Sequence, residues 1–315
     1  MTRPSPRPSS PLPTVLLSVL LLGTMLGALL APTSTAAAPS SPRAGEERID
    51  YVAMGDSYSA ASGVLPVATD APLQCLRSTR NYPAVIARVT GAVLTDVTCG
   101  GAQSKHYFSR FYPQTPPQLA ALSARTDLVT MTIGGNNNGV FIGSIRDCAV
   151  AGLSAGYQGR PCTEQHQADY LRTVRTRTFP QLVKAFRAVR AAAPNATIAV
   201  LGYPWITPER GSCVGLPIAP GDFPFLHRLQ RVLNDTIERA TRRARDLTFV
   251  DFSRVSRGRD ACAPVTRRWI EPVVGTTNPV VVHPNARGEA AMARHALDVL
   301  GLDDGVVITA PPLRR

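Results

Sequence analysis

The chain has 315 residues, 44% of them hydrophobic and 18% charged, and carries a formal net charge of +12. That balance excludes a disordered chain and allows at least one large core. Its basic residues are dispersed, with no stripe interleaved with aromatics, so nucleic-acid binding is not expected, whereas attraction to anionic surfaces fits the charge.

Arg3 and Arg7 precede an apolar run over 15–30, which small residues through Ala38 follow. This three-part pattern reads as a secretory signal cleaved near Ala38. A membrane anchor is the competing reading, since spanning takes about 20 apolar residues. The small residues directly after the run favour cleavage. No second run is long and apolar enough to span. Residues 39–48 read as a polar linker, 49–302 as one domain and 303–315 as a tail.

In chain order, strands are expected at 49–54, 92–97, 127–133, 197–201 and 247–252. Helices are expected at 82–89, 119–124, 168–193 with an interruption at Pro180, 225–245 and 286–300. Short strands alternating with helices indicate βαβ units. The expected fold is α/β, a three-layer α/β/α sandwich around a parallel sheet of about five strands. Two stretches, 150–161 and 204–224, fall outside this rhythm and read as surface loops pinned by disulfides.

Cys75, Cys99, Cys148, Cys162, Cys213 and Cys262 form an even set, which in an exported chain suggests three disulfides but leaves their pairing open. No Cys-x-x-Cys occurs and no cysteine has a histidine at zinc-site spacing, so neither a metal nor a cofactor is expected. The sequons at Asn195 and Asn234 read as chance matches.

Chemistry concentrates at strand ends, where ligands bind in open parallel sheets. The first strand runs into Gly55-Asp56-Ser57, the second into Cys99-Gly100-Gly101-Ala102 and the third into Gly134-Gly135-Asn136-Asn137-Asn138-Gly139. A serine after a turn glycine suits a nucleophile, although a helix cap would look the same. An asparagine amide is a neutral donor able to hold an oxyanion. His283-Pro284-Asn285 precedes the last helix. His166, His227 and His295 fall in helical patterns and read as packing or surface residues, while His106 is a candidate substrate contact. Phe108, Phe111, Tyr112, Val140, Phe141 and Ile142 suit an acyl pocket and a core equally well.

Four such blocks in this order resemble the SGNH (GDSL-type) hydrolases over about residues 49–300, and especially the secreted actinobacterial lipases and esterases. The resemblance implies ester hydrolysis through an acyl-serine intermediate, with Ser57 as nucleophile and His283 as general base. It implies an oxyanion hole built from the Ser57 and Gly101 N–H groups and the Asn136 side chain. It also implies the pairs Cys75–Cys99, Cys148–Cys162 and Cys213–Cys262, and a chain acting as a monomer on acyl esters, lipids included. Two positions depart from the family. Val280 stands where an aspartate usually precedes the histidine by three residues, and Asn137 where aspartate is common. No acidic residue lies between Glu271 and Glu289, so the Val280 backbone carbonyl is the expected partner of His283 Nδ1. A carboxylate folding back from Asp251, Asp260 or Glu271 is the rival. An esterase acting on acylated polysaccharide or plant polyester remains open, as does an inactive binding protein on the same scaffold.

Overall fold

The computed structural model describes residues 48–302. The expected signal, nearly all of the linker and the tail lie outside the described residues. Five parallel strands, β1 (Asp50–Gly55), β2 (Val93–Asp96), β3 (Leu128–Thr132), β4 (Thr197–Leu201) and β5 (Thr248–Val250), form one sheet in the order β2-β1-β3-β4-β5. β3 is buried along its whole length, and β1 from Tyr51 onward. Burial on both faces is why both read as unbroken apolar runs.

Strand residues alternate between two cores, which makes three layers. Val52, Met54, Val129, Met131, Ile198 and Val200 face α5 (Phe179–Ala192) and α6 (Phe223–Ala244). Tyr51, Ala53, Leu128, Ala199, Leu201 and Val250 face α2 (Tyr82–Thr90) and α7 (Ala286–Leu300). α6 buries Leu226, Leu229, Leu233, Ile237 and Ala240, a three-and-four spacing that fixes one face inward. Asn81 caps α2 and Asn285 caps α7, each accepting a backbone N–H of the first turn.

Three local readings are corrected. The stretch 150–161 is not all loop, because α3 (Val140–Ser154) runs through Ser154. Its buried residues Val140, Ser144, Ile145, Cys148 and Ala151 recur at helical spacing. Pro180 does not break the chain's helical course. α4 (Pro161–Thr173) passes through a π turn at Val174–Thr178 straight into α5. The wider turn accommodates a proline that lacks an N–H and would crowd the carbonyl four residues back. Around 119–124 there is only a 3₁₀ turn, Gln118–Ala121.

The disulfides join Cys75 to Cys99, Cys148 to Cys162 and Cys213 to Cys262. The second staples α3 to α4, and the third ties the proline-rich 204–224 segment to the chain after β5. No described helix is long and apolar enough to cross a membrane.

Candidate active site

The strand order reverses at β1, whose neighbours β2 and β3 are reached in opposite directions. Such a switch point leaves a crevice at the carboxyl ends of the strands. The chain leaves β1 through Gly55, whose φ is +119° and where an added Cβ would lie 2.3 Å from the Thr132 carbonyl oxygen. Only glycine fits. Gln118 clamps this turn, accepting the Gly55 N–H at 2.7 Å and donating to its carbonyl at 2.9 Å.

Asp56 then caps α1 (Ser57–Ala60), accepting the Tyr58 N–H at 3.1 Å. Its carboxylate also accepts the hydroxyls of Thr132 and Tyr203, and it is buried. Burial raises the Asp56 pKa to about 6, against the hydrogen bonds from Tyr203, Thr132 and Tyr58 that lower it. Ser57 follows immediately, its Oγ 2.7 Å from His283 Nε2.

His283 lies on the loop before α7, and that loop is held by β-like bonds to Glu271. The Glu271 N–H donates to the His283 carbonyl and the Val282 N–H to the Glu271 carbonyl, both at 2.9 Å. Tyr58 OH donates to the Val282 carbonyl at 2.8 Å, linking α1 to the histidine loop. Nδ1 of His283 is 2.7 Å from the Val281 carbonyl oxygen. The expectation of Val280 is therefore corrected by one residue. Val282 has φ +54°, and this left-handed turn points the carbonyl of Val281 back at the imidazole two residues on. Val280 packs instead beside Gly63. The three rival carboxylates are engaged elsewhere. Asp251 accepts from Ser253, Asp260 caps Cys262, and Glu271 holds Arg268, Asn285 and Thr277. Burial lowers the His283 pKa, opposed by the Val281 hydrogen bond. A depressed pKa keeps the imidazole neutral at neutral pH, able to accept a proton at Nε2.

Gly101 has φ +81°, and its loop is anchored by the Cys75–Cys99 disulfide and by the Gly100 N–H on the Cys75 carbonyl at 2.8 Å. Neither the Ser57 nor the Gly101 N–H has a protein acceptor among the described residues. Asn136 spends one amide hydrogen on the Ala102 carbonyl at 3.2 Å and lines the cleft that Ser57 and His283 share. Asn137 bridges Ser104 and Gln181, holding this loop on the second one.

The cleft that Ser57 and His283 share is walled by Phe141, Ile142, Ile145, Tyr203 and Val282. Of the candidate pocket residues, Phe141 and Ile142 line it and Val140 lies just behind. Phe111 and Tyr112 instead pack on the Cys75–Cys99 disulfide, and Phe108 stands under Lys184. His106 stacks on Phe111 and accepts the Gln103 N–H, away from the Ser57 cleft. Asn234, in a sequon, is buried and bonds the Tyr203 backbone. Sequence reasoning passed over Tyr203, which donates to Asp56 and accepts the Gly135 N–H at 2.9 Å. Its place just past the end of β4, on the strand-end edge, is the signal that could have found it.

A parallel α/β sheet with a serine and a histidine in contact at its switch point defines a three-layer α/β fold with a candidate hydrolase site at its strand ends. The model of the GDSL-like lipase/acylhydrolase family matches residues 53–291, and the chain belongs to that family and is a carboxylic ester hydrolase. It is 50% identical over 281 residues to Lipase 2 of Streptomyces coelicolor, covering 88% of this chain and 95% of that protein. Among solved structures it is similar to an extracellular lipase from Streptomyces rimosus, with TM-score 0.67 and 27% identity over 80% of this chain and 98% of that one. It is also similar to a phospholipase A1 from Streptomyces albidoflavus, with TM-score 0.66 and 26% identity over 80% and 97%.

Proposed function

We propose that this chain is a secreted lipase or esterase that cleaves carboxylic acyl esters through an acyl-serine intermediate, using a Ser57–His283 dyad. The observation that carries the reading is one continuous relay: Ser57 Oγ to His283 Nε2 at 2.7 Å, and His283 Nδ1 to the Val281 carbonyl at 2.7 Å. The carbonyl accepts Nδ1–H and so leaves Nε2 as the free base. Nε2 takes the Ser57 proton as Oγ attacks the ester carbonyl. The oxyanion forms facing the Ser57 and Gly101 N–H groups and the Asn136 amide. Collapse expels the alcohol, protonated by the imidazolium, and water repeats the sequence to release the acid.

A carbonyl holds the tautomer but carries no full charge to stabilise the imidazolium. Burial also disfavours the imidazolium, so the His283 pKa lies below its ordinary value although the Val281 hydrogen bond raises it. The apolar walls at Phe141, Ile142, Ile145 and Val282 favour an alkyl acyl group over an acetylated sugar. Secretion follows from the N-terminal pattern, with removal near Ala38, and accords with the extracellular relative. The protein acts as a monomer, and its positive charge draws it to anionic surfaces.

The test is hydrolysis of a short-chain chromogenic ester by wild type and Ser57→Ala. Loss of orders of magnitude with an unchanged circular dichroism spectrum is expected. Activity within about tenfold of wild type would remove Ser57 from the mechanism.

A further inference from the structure

The chain has only two lysines, Lys105 and Lys184, and both line one pocket of about 240 Å³. Lys105 belongs to the 3₁₀ turn Ser104–Tyr107 and Lys184 to α5. The three stretches of chain that meet there carry no acid, since the sequence has no Asp or Glu over 97–126, 128–146 or 170–208. Among the described residues no carboxylate lines the pocket, and neither lysine forms an ion pair. Lys184 Nζ lies 4.9 Å from the centre of the exposed Phe108 ring, which holds the ammonium at the pocket without neutralising it.

The neutral groups of the wall are left as donors. Gln181 Oε1 accepts from Asn137 at 2.8 Å and from Asn138 at 3.0 Å, so its remaining capacity is its amide hydrogens. Ser104 Oγ accepts from Asn137 Nδ2 at 2.6 Å and keeps its own proton to donate, although the residue is only 3% exposed. Asn137 itself is spent, because Nδ2 gives one hydrogen to each of these groups and Oδ1 accepts the Ser104 N–H at 3.0 Å. An aspartate at this position would place a carboxylate in the wall. Asparagine keeps the wall free of negative charge and occupies the acceptors of its neighbours.

We infer that this pocket binds a phosphate group, either as inorganic phosphate or in the headgroup of a phospholipid. The two ammonium groups balance its charge, and Gln181 and Ser104 supply neutral donors to its remaining oxygens. A phosphate spreads acceptor oxygens around a tetrahedron and can meet donors from several elements at once, which a planar carboxylate does less well. No residue lines both this pocket and the Ser57 cleft, so the site is separate from the hydrolytic one and does not rest on the ester reading.

The experiment uses the Ser57→Ala protein as parent, so that lipid is not consumed. Its probes are inorganic phosphate, followed by calorimetry, and vesicles of phosphatidylglycerol in phosphatidylcholine, followed by flotation. Lys105→Gln with Lys184→Gln is compared with Arg254→Gln with Arg257→Gln, which removes the same charge from exposed positions outside the pocket. Loss of the charge-assisted bonds should weaken binding of at least one probe by about tenfold or more in the lysine variant, with the arginine variant within about twofold of the parent. Lysine-dependent binding of inorganic phosphate makes free phosphate a sufficient ligand. Lysine-dependent binding of the vesicles alone assigns the lipid headgroup. Both lysines are exposed, so the fold should persist, and circular dichroism checks it. A second measurement leaves the lysines unaltered: the bound probe should protect both from acetylation by an N-hydroxysuccinimide ester, read by peptide mass spectrometry. Failure of both probes to bind, an equal loss in the two double variants, or lysines that stay unprotected overturns the site, whether or not the wild-type protein hydrolyses esters.

Discussion

Replacing Asp56 by asparagine tests whether the group beneath Ser57 is a buried cap held at an energetic cost. Its folded pKa is raised from 3.8 to about 6, mainly by burial. A raised pKa means that the folded state binds the proton more tightly. The stability it contributes is fully present below about pH 4 and is lost as pH rises to about 6. A rise of that size corresponds to about 3 kcal/mol, of which about 2 kcal/mol falls between pH 4 and pH 7.5. Asparagine cannot ionise, yet its amide can still accept from the Tyr58 N–H and donate to the Tyr203 hydroxyl. Urea unfolding of both proteins at pH 4 and pH 7.5 isolates the effect, because every other titrating group is common to the pair. The asparagine variant should gain about 2 kcal/mol on wild type between the two pH values. An equal difference at both would show that the Asp56 carboxyl titrates alike in folded and unfolded chains, and the argument from burial would be wrong.

Asn136→Ala should lower kcat by about 10²–10³ with a smaller change in KM, as for loss of an oxyanion donor; a change confined to KM would assign it to ground-state binding. The acid limb of the kcat/KM profile should have its midpoint below the ordinary histidine value of 6.5, since burial disfavours the charged His283, and a midpoint above it would contradict the geometry. Replacing Cys213 and Cys262 together by serine opens a loop with a sequence separation of 49 and should lower stability. The loss should approach about 4 kcal/mol by chemical denaturation, and an unchanged midpoint would show that the bridge does not constrain the unfolded chain.

The site was legible in the sequence where chemistry and backbone geometry coincide. Gly55-Asp56-Ser57 and Gly134-Gly135-Asn136 follow strands buried on both faces, and the first glycine of each has φ near +120°. Glycine marks such conformations openly. The histidine's partner was legible only to within one residue. The register of the carbonyl depends on a left-handed conformation at Val282, inside a run of three valines that carries no turn signal. Buried contacts across the chain impose it, chiefly Tyr58 and Glu271, which are 224 and 11 residues away from Val282 respectively. α3 was hidden because Val140, Phe141 and Ile142 suit a pocket wall as well as a helix face, and the structure uses Phe141 for both. Tyr203 and Gln118 act through distant partners, which no local pattern encodes.

The central claim is that His283 is oriented by a backbone carbonyl and not by a carboxylate. The most direct measurement is turnover of a short-chain ester by Asp251→Asn, Asp260→Asn and Glu271→Gln, each checked for fold by circular dichroism. A backbone acceptor predicts that every folded variant keeps kcat within about tenfold of wild type, because none of these groups touches the imidazole. A loss near 10⁴ from any one of them, with the fold preserved, would match the loss of a triad acid and contradict the dyad.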